Sequence, residues 1–372
     1  MKQSLLRIVA LTIKELLAIL KDKRSRIVLV VPPMLQLFIF GYAASFDLND
    51  IPIAIYNEDN SAPARDLVAH VIGSPHFHLY AYIHSDKEIA PLIDNKDVLI
   101  VLHIDSHFSA DLYAGRSGQT QLIIDGRNSN TALLAQGYLS NIVTDFNMDW
   151  AERHGTASPP ATLKVISWFN SNRESRWFIV PGIVGLLTLL ITMLVTALSV
   201  AREREAGTFD QLLVTPMRPF EILVGKSLPG MLIGSVEGSF ILFMAVYWFE
   251  VPFRGSLGAL YIGMFLFILS AVGIGLMISS LAMTQQQGML GAFLFMVPAI
   301  ILSGFATPIA NMPYAVQLIT YVDPLRYFLI ILRGVFLEGD SFDILYHYYW
   351  PMAIIALTTL SFAGWLFRHR MN

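Results

Sequence analysis

Residues 177–201 read WFIVPGIVGLLTLLITMLVTALSVA, and residues 202–216, directly after them, read REREAGTFDQLLVTP. The first stretch has 25 residues without a charged side chain. That is enough for a helix across a bilayer, which needs about 20 apolar residues. The second stretch opens with four alternating charges. The chain is therefore expected to leave the membrane at Arg202 and to continue as a polar segment.

The composition agrees with a chain that crosses the membrane repeatedly. Of its 372 residues, 55% are hydrophobic and only 14% are charged, whereas soluble domains average about 25% charged residues. The net charge of −3 gives no reason to expect a nucleic acid partner. Cysteine is absent from the sequence, which excludes disulfides, cysteine metal sites and thiol nucleophiles.

Long apolar stretches predict six membrane spans. Residues 27–46 resemble a secretory signal peptide only loosely, because this apolar stretch is longer than a typical signal core and follows 26 helix-like residues. The uncharged tract 255–322 is long enough for two spans. The predicted spans are residues 27–46, 177–201, 228–249, 257–281, 288–307 and 346–367.

Lysine and arginine predict the orientation, because they are enriched in short cytoplasmic loops. The first 26 residues carry seven of them, residues 202–226 carry four, and the last helix ends in Arg368-His369-Arg370. Both termini and the 202–226 segment are therefore expected inside. The long segment 47–176 is then expected outside.

The sequence predicts a mainly α polytopic membrane protein with an extracytoplasmic α/β domain inserted between transmembrane helices 1 and 2. Its parts are an amphipathic helix (1–26), the first span (27–46), the inserted domain (47–176) and the membrane domain (177–372). In the inserted domain, alternation predicts strands at 51–57, 77–83, 97–104 and 120–127. His76 and His78 share one strand face, but no metal-ligand spacing accompanies them, and we predict no metal site.

The segment after the second span has the signals of a short helix, predicted over 202–218. Thr208 and Gln211 match a capping box, Phe209, Leu212 and Leu213 form one apolar face, and Pro216 would end the helix. The four bases and four acids of residues 202–226 balance, which suits specific pairing. A helix that only anchors the loop remains the alternative.

Gly225-Lys226-Ser227 resembles the end of a phosphate-binding loop. That motif needs a glycine five residues before Gly225, but position 220 is Phe, and the tripeptide leads into a span. We therefore predict no catalytic site and no cofactor on this chain.

The first 26 residues are predicted to form an amphipathic helix. Its apolar face has helical spacing, with basic residues opposite at Arg7, Lys14 and Lys21. An N-terminal helix that only anchors the chain is again the alternative. The face consists of Leu5, Ile8, Val9, Leu16, Ile19 and Leu20.

Residues 202–226, REREAGTFDQLLVTPMRPFEILVGK, resemble the signature of ABC-2 type transporter permeases. The resemblance covers the whole chain. It includes Lys14-Glu15-Leu16 before span one and Asp323-Pro324-Leu325-Arg326-Tyr327 before the last span. The chain is most similar to bacterial multidrug-export permeases with a large extracytoplasmic domain.

This resemblance implies a permease subunit of an ABC exporter for amphipathic small molecules or drugs in the bacterial inner membrane, with residues 47–176 periplasmic. It implies a separate ATPase subunit carrying ATP and Mg, a second permease in a homo- or heterodimer, contact with membrane lipid and a possible periplasmic adaptor.

The resemblance also assigns residues. The 202–218 segment would be the coupling helix, whose charges pair with the N-terminal helix and the ATPase and whose apolar face fills a groove of the ATPase. Lys14 and Glu15 would support it. The coupling residues are Arg202, Glu203, Arg204, Glu205, Gly207, Thr208, Phe209, Leu212, Leu213, Thr215 and Pro216; an outer re-entrant element would contain Asp323, Pro324, Arg326 and Arg333.

Glu237 lies near the middle of the third predicted span. An ionisable residue there is a functional candidate because its burial costs about 2.5 kcal/mol or more. A hydrogen-bonded or protonated glutamate between helices explains it equally well. An ion-coupled secondary transporter using Glu237 is the alternative function, although no inverted repeat supports it. A membrane-anchored receptor or assembly protein is a third hypothesis.

Overall fold

The computed structural model describes residues 2–43, 48, 50–127, 129–155, 169–170, 174–209, 211 and 215–370. These divide into two compact units, one formed by residues 1–45 and 167–372 and the other by residues 46–166. The elements, in chain order, are α1 (Lys2–Lys21), α2 (Lys23–Ala43), β1 (Ile51–Asn57), α3 (Ala62–Ile72), β2 (Phe77–Ile83), α4 (Ile89–Asp94), β3 (Ile100–Ile104), α5 (Phe108–Tyr113), β4 (Thr120–Ile124), α6 (Ser129–His154), α7 (Arg176–Glu205), α8 (Pro219–Tyr247), α9 (Leu257–Leu281), α10 (Gln285–Leu302), α11 (Tyr314–Ile319), α12 (Pro324–Arg333) and α13 (Phe342–Arg370).

The first unit is a helical membrane domain. Within the described residues, six helices are long and apolar enough to span a membrane, namely α2, α7, α8, α9, α10 and α13. Together with the sheet of the second unit they confirm the predicted fold class. Helix α7 lies at the centre and packs against α2, α8, α9, α10 and α12. Helices α2, α10 and α13 expose most of their apolar surface.

Small residues allow α7 and α8 to approach closely. Gly230, Gly234 and Gly238 of α8 face Thr196, Thr192 and Thr188 of α7, and a Cβ at Gly234 would overlap the Thr192 hydroxyl. Both sets repeat every four residues, so each forms a stripe along one helix face. Close contact through small residues is the usual way in which membrane helices associate, because lipid is as apolar as the helices themselves.

Between α10 and α13 the chain forms two short helical segments with a sharp bend between them. The pair Tyr314–Val322 and Pro324–Glu338 is bent by 83° at Asp323. Asp323 is the N-cap of α12, where its carboxylate accepts a hydrogen bond from the Leu325 N–H at 3.0 Å. The bend therefore follows from the Asp-Pro pair, since proline cannot continue the preceding helix.

The second unit is a small α/β domain. Its sheet has the order β2-β1-β3-β4, with β1 parallel to both neighbours and β4 antiparallel to β3. Ile53 and Ile55 of β1 pack towards α3 and α6, whereas Ala54 and Tyr56 pack towards α4. Because β1 is covered on both faces, the strand is apolar at almost every position.

The two histidines that the sequence analysis considered as metal ligands, His76 and His78, each contact another side chain of this unit. The His76 ring stacks on Tyr138, with 4.1 Å between ring centroids. His78 Nδ1 lies 2.9 Å from Asp50 Oδ1.

His70 joins α3 to α6 and makes this contact dependent on pH. Its Nδ1–H donates to the Asp66 carbonyl at 2.9 Å, and Nε2 lies 3.4 Å from Asp149 Oδ2. The hydrogen bond to Asp66 raises the pKa of His70; burial opposes this and Asp149 reinforces it. The stabilisation is therefore complete below the unfolded pKa of about 6.5 and is lost as pH rises through the higher folded value.

We expect hydrogen exchange around Asp149 in the full chain to be slower at pH 5.5 than at pH 8.5, beyond the intrinsic effect of pH. The variant His70→Gln should abolish this difference because its side chain does not titrate. Equal protection in both proteins at both values would show that the contact does not depend on the charge of His70.

Candidate functional site

Four charged side chains form what we call the ionic cluster: Lys14 and Glu15 of α1, Glu203 of α7 and Lys226 of α8. Lys226 Nζ lies 2.8 Å from Glu203 Oε2 and 3.1 Å from Glu15 Oε1. Lys14 Nζ lies 2.5 Å from Glu203 Oε1 and 3.5 Å from Glu15 Oε1. The formal charges sum to zero, and Glu203 joins the three helices.

The cluster is buried on one side and open on the other. The side chain of Lys226 is 1% exposed, those of Glu15 and Glu203 are 7% and 8% exposed, and that of Lys14 is 56% exposed. A buried charge without a partner is strongly unfavourable. Lys226 therefore requires both carboxylates, whereas Lys14 can leave the cluster and be hydrated.

Burial and the two neighbouring carboxylates act in opposite directions on the pKa of Lys14. Burial acts to lower the pKa of Lys14, but the hydrogen bond to Glu203 and the two carboxylate charges outweigh it and raise the pKa. The contribution of Lys14 to stability is therefore present below the unfolded pKa of about 10.4 and is lost only as pH rises through the higher folded value.

A glycine brings α1 against α8 beside this cluster. A Cβ at Gly225 would come within 2.6 Å of Leu11 Cδ2, and the Thr12 hydroxyl donates to the Gly225 carbonyl at 3.4 Å. Gly225-Lys226-Ser227 lies inside α8 and not in a loop after a strand, the position a phosphate-binding loop would take. In this chain the tripeptide supplies a close helix contact and an ion-pair partner.

Helix α1 buries a face beside the predicted apolar one. Leu11, Thr12, Glu15 and Ile19 are buried, of which only Ile19 belongs to the predicted apolar face; Leu5, Val9 and Leu20 of that face are exposed. The physical reason is the contact between Glu15 and Lys226, which orients α1 so that the residues on the same face as Glu15 are buried. Helix α1 therefore has two apolar faces, and the exposed one consists of Leu5, Leu6, Val9, Ile13, Leu17 and Leu20.

The charged residues in the last turn of α7 contact two different parts of the chain. Glu203 contacts α1, as the resemblance implies. Arg204 instead donates to the carbonyls of Ser280 and Ala282 at 2.9 and 3.2 Å, and Glu205 accepts the Gln285 N–H at 2.8 Å. Arg204 and Glu205 therefore hold the end of α7 to the loop between α9 and α10. Arg202 is partly exposed.

Helix α7 ends at a tight turn. Gly207 has a φ of +68°, a backbone conformation that glycine adopts without strain. The Thr208 N–H donates to the Glu203 carbonyl at 3.0 Å. The Thr208 hydroxyl donates to the same carbonyl at 3.4 Å, which helps to close the end of α7. The capping box of Thr208 with Gln211 stays a prediction.

Phe209 is a packing residue of this chain. Its side chain belongs to a core with Leu11, Val200, Ile222 and Phe367 and is 7% exposed. This placement differs from the exposed position that docking into a partner requires. The predicted docking residues Leu212 and Leu213 lie outside the described residues.

An open groove lies between α1 and the segment that follows α7. It has a volume of about 650 Å³, and Arg7 crosses one end of it to donate to the Pro216 carbonyl at 2.6 Å. The exposed residues on the other side of the groove are Thr208, Gln211, Thr215 and Pro216. We call this surface the segment groove.

The outer residues lie at the other end of the membrane domain. The guanidinium of Arg333 lies over the Phe178 ring, 4.0 Å from its centroid, and Phe178 precedes Glu203 by 25 residues, about 37 Å along α7. Arg326 contacts the Thr320 hydroxyl and lies 4.2 Å from the Tyr321 ring centroid. Arg326 makes no ion pair with Asp323, whose Oδ1 caps α12.

Two features of the site were not recognised from the sequence. Lys226 was treated only as one of several balancing charges, although a lysine at the start of an apolar helix requires acidic partners. The Gly230-Gly234-Gly238 repeat was also missed, although small residues four apart are a signal for close packing of membrane helices.

Comparison with known proteins shows extended similarity. Residues 23–365 match the family described as ABC-2 family transporter protein. The chain is 38% identical to the probable multidrug ABC transporter permease YbhR of Escherichia coli K12 over 359 residues, which cover 96% of this chain and 97% of YbhR. It is 35% identical to the probable multidrug ABC transporter permease YbhS of the same organism, over 90% of this chain and 89% of YbhS. The inner membrane transport permease YhhJ of E. coli K12 is 30% identical, over 96% of this chain and 94% of YhhJ.

Proposed function

This chain belongs to the ABC-2 family of transporter proteins, and from that premise we propose that it is the permease subunit of an ATP-driven exporter of amphipathic small molecules. Like its relatives it is a transport permease of the inner membrane and not itself an enzyme. ATP is hydrolysed by a separate ABC ATPase subunit. The two termini and the segment 202–218 face the cytoplasm, and residues 47–176 face the periplasm.

The ionic cluster is the observation that carries this proposal. It joins α1, α7 and α8 at the point where the 202–218 segment leaves α7. Because separating a buried charge from its partners costs several kcal/mol, the three helices move together when the segment is displaced. Helix α7 then conveys this displacement to the centre of the membrane domain.

The segment groove supports a cytoplasmic docking surface. Its polar rim, with Thr208, Gln211 and Pro216, is exposed, and Arg7 and Lys14 place positive charge beside it. The ATPase binds here and moves the segment when nucleotide binds. Since Phe209 is internal, the ATPase contacts this polar rim, and Phe209 transmits its motion to Leu11 and Phe367.

A second permease completes the transport path. Helices α2, α10 and α13 expose long apolar faces, which contact lipid or the second subunit. Homo- and heterodimers are both compatible with these faces. Engagement of a periplasmic adaptor by residues 47–176 stays a prediction from the resemblance.

The natural lack of cysteine allows a direct test of docking. The exposed Gln211 is changed to Gln211→Cys in the full complex, and Tyr314→Cys serves as the control because Tyr314 is 75% exposed on α11. We expect a short bifunctional thiol-amine reagent to crosslink Gln211→Cys, but not Tyr314→Cys, to the ATPase subunit. A membrane-impermeant maleimide added to intact spheroplasts should label only Tyr314→Cys.

Two results would refute the proposal. One is crosslinking to the ATPase from the Tyr314→Cys protein alone. The other is a complex lacking residues 202–216 that still binds the ATPase and retains substrate-stimulated ATP hydrolysis.

A further inference from the structure

A cleft of about 680 Å³ lies between α1, α2 and α8. This volume is in the range of small-molecule sites, which run from about 300 to 1,000 Å³. Its walls are apolar, and its acidic group is Glu237. The lining includes Leu16 and Leu20 of α1, Met34 of α2, and Ile233 and Phe240 of α8.

Glu237 is unsatisfied in this cleft. Both of its carboxylate oxygens are buried and accept no hydrogen bond from any residue that the structure describes. The rest of the lining has no charged side chain. An ionised carboxylate in such surroundings is costly unless a cation accompanies it. By contrast, the buried charge of Lys226, on the same helix α8, contacts two carboxylates in the ionic cluster.

We propose that this cleft binds lipophilic organic cations, with Glu237 as their counter-charge. The inference rests on the proposed export function and names the substrate class of that exporter. The apolar walls receive the hydrocarbon or aromatic body of the ligand. Met34 adapts to different shapes because its side chain is unbranched, and the Phe240 ring can receive a cation on its face.

Other occupants fit the cleft less well. A lipid acyl chain or a neutral drug would fill the apolar space but would leave the carboxylate without a partner. An anion would be repelled by it. A cation with a large apolar surface satisfies the walls and the carboxylate together.

The same two helices form the cleft and the ionic cluster. Leu16 follows Glu15 directly on α1, and Glu237 follows Lys226 by 11 residues on α8, about 16 Å at 1.5 Å per residue. A ligand that changes the spacing of α1 and α8 therefore acts on the Lys226–Glu15 contact. Binding in the cleft thereby changes the position of α1 at the segment groove. We therefore expect the cation to stimulate ATP hydrolysis by the complex.

Binding can be measured on the full-length permease in phosphatidylcholine nanodiscs, without ATPase or nucleotide. The probe is radiolabelled tetraphenylphosphonium, and tetraphenylborate, with four phenyl groups and the opposite charge, is the matched control. We expect the cation to bind saturably and tetraphenylborate to show no saturable binding. Glu237→Gln should weaken cation binding at least tenfold, and Glu237→Asp should retain most of it.

Two more variants separate charge from position. Glu250→Gln removes an exposed carboxylate after the end of α8 and should bind the cation as the wild type does. Val236→Trp narrows the cleft at a position that is 70% exposed while the carboxylate remains, and it should weaken binding. Because glutamine has nearly the same shape as glutamate and carries no charge to bury, we expect Glu237→Gln to fold and to unfold at a temperature no lower than the wild type.

The inference is overturned if the wild type shows no saturable cation binding, if it binds the borate equally, or if Glu237→Gln or Val236→Trp binds with wild-type affinity. Any of these results leaves the crosslinking test of ATPase docking unaffected. Conversely, failed crosslinking at Gln211→Cys would not alter the binding measured here.

Discussion

The variant Lys226→Met is expected to unfold at a markedly lower temperature than the wild type, with a loss of about 3–5 kcal/mol in the free energy of unfolding. Lys226 is 1% exposed and contacts both Glu203 and Glu15. Methionine fills a similar volume but leaves two buried carboxylates with Lys14 as their cation. The measurement is thermal unfolding of the purified permease in detergent, followed by tryptophan fluorescence.

Lys14→Met is the matched control, because Lys14 contacts the same Glu203. Its side chain is 56% exposed, so its loss should cost at most about 1 kcal/mol, as for other exposed ion pairs. The double variant Lys226→Met/Glu203→Gln should recover much of the stability, since the remaining Lys14 and Glu15 are 3.5 Å apart and balance. Equal destabilisation by the two lysine variants would contradict the distinction between the buried and the exposed side of the cluster.

The second large effect is expected from Gly234→Leu, which should prevent close packing of α7 and α8. A Cβ alone would overlap the Thr192 hydroxyl, and a Cβ at Gly230 or Gly238 on the same stripe would also come too close to Thr196 or Thr188. The helices cannot separate at one position without losing contact at the others. We expect a loss of about 3 kcal/mol or more, at the upper end of overpacking effects, seen as low yield of monodisperse protein and a lower unfolding temperature.

Gly258→Leu controls for the substitution itself. Gly258 lies at the start of α9, where an added Cβ would meet only the Ser256 hydroxyl, at 3.6 Å. It should behave like the wild type apart from the small helix-propensity effect. Thr192→Ala should partly rescue Gly234→Ala by removing the atoms that collide. If Gly234→Leu is as stable as Gly258→Leu, the glycine stripe does not determine the α7–α8 contact.

The sequence predicted the membrane helices well because each is decided by local composition. Helix α8 (Pro219–Tyr247) contains most of the predicted span 228–249, and α9 occupies residues 257–281 as predicted. The inserted sheet was also predicted strand by strand from the alternation of apolar residues. Its order and the antiparallel direction of β4 depend on pairing between distant segments, which alternation does not encode.

The candidate site was predicted less completely, and the reason is long-range pairing. The apolar pattern of α1 gives equal weight to Leu5 and Leu11, but only Leu11 faces Gly225, more than 200 residues away in the sequence. Glu15 is buried because it contacts the buried Lys226. An apolar pattern does not predict burial at either position, because both residues are charged. In the same way, the family resemblance assigned Phe209 to docking, whereas the Phe209 ring packs against Phe367 of the same chain.

The core around Phe209 has a consequence for biosynthesis. It brings together Leu11, Phe209 and Phe367, so its last member is translated 356 residues after its first. At about 5–20 residues per second, Leu11 leaves the ribosome roughly 20–70 s before Phe367 is made. The membrane helices can therefore insert one after another during translation, but the segment groove, where we propose that the ATPase docks, is completed only at the end. We therefore expect nascent or truncated chains not to bind the ATPase subunit.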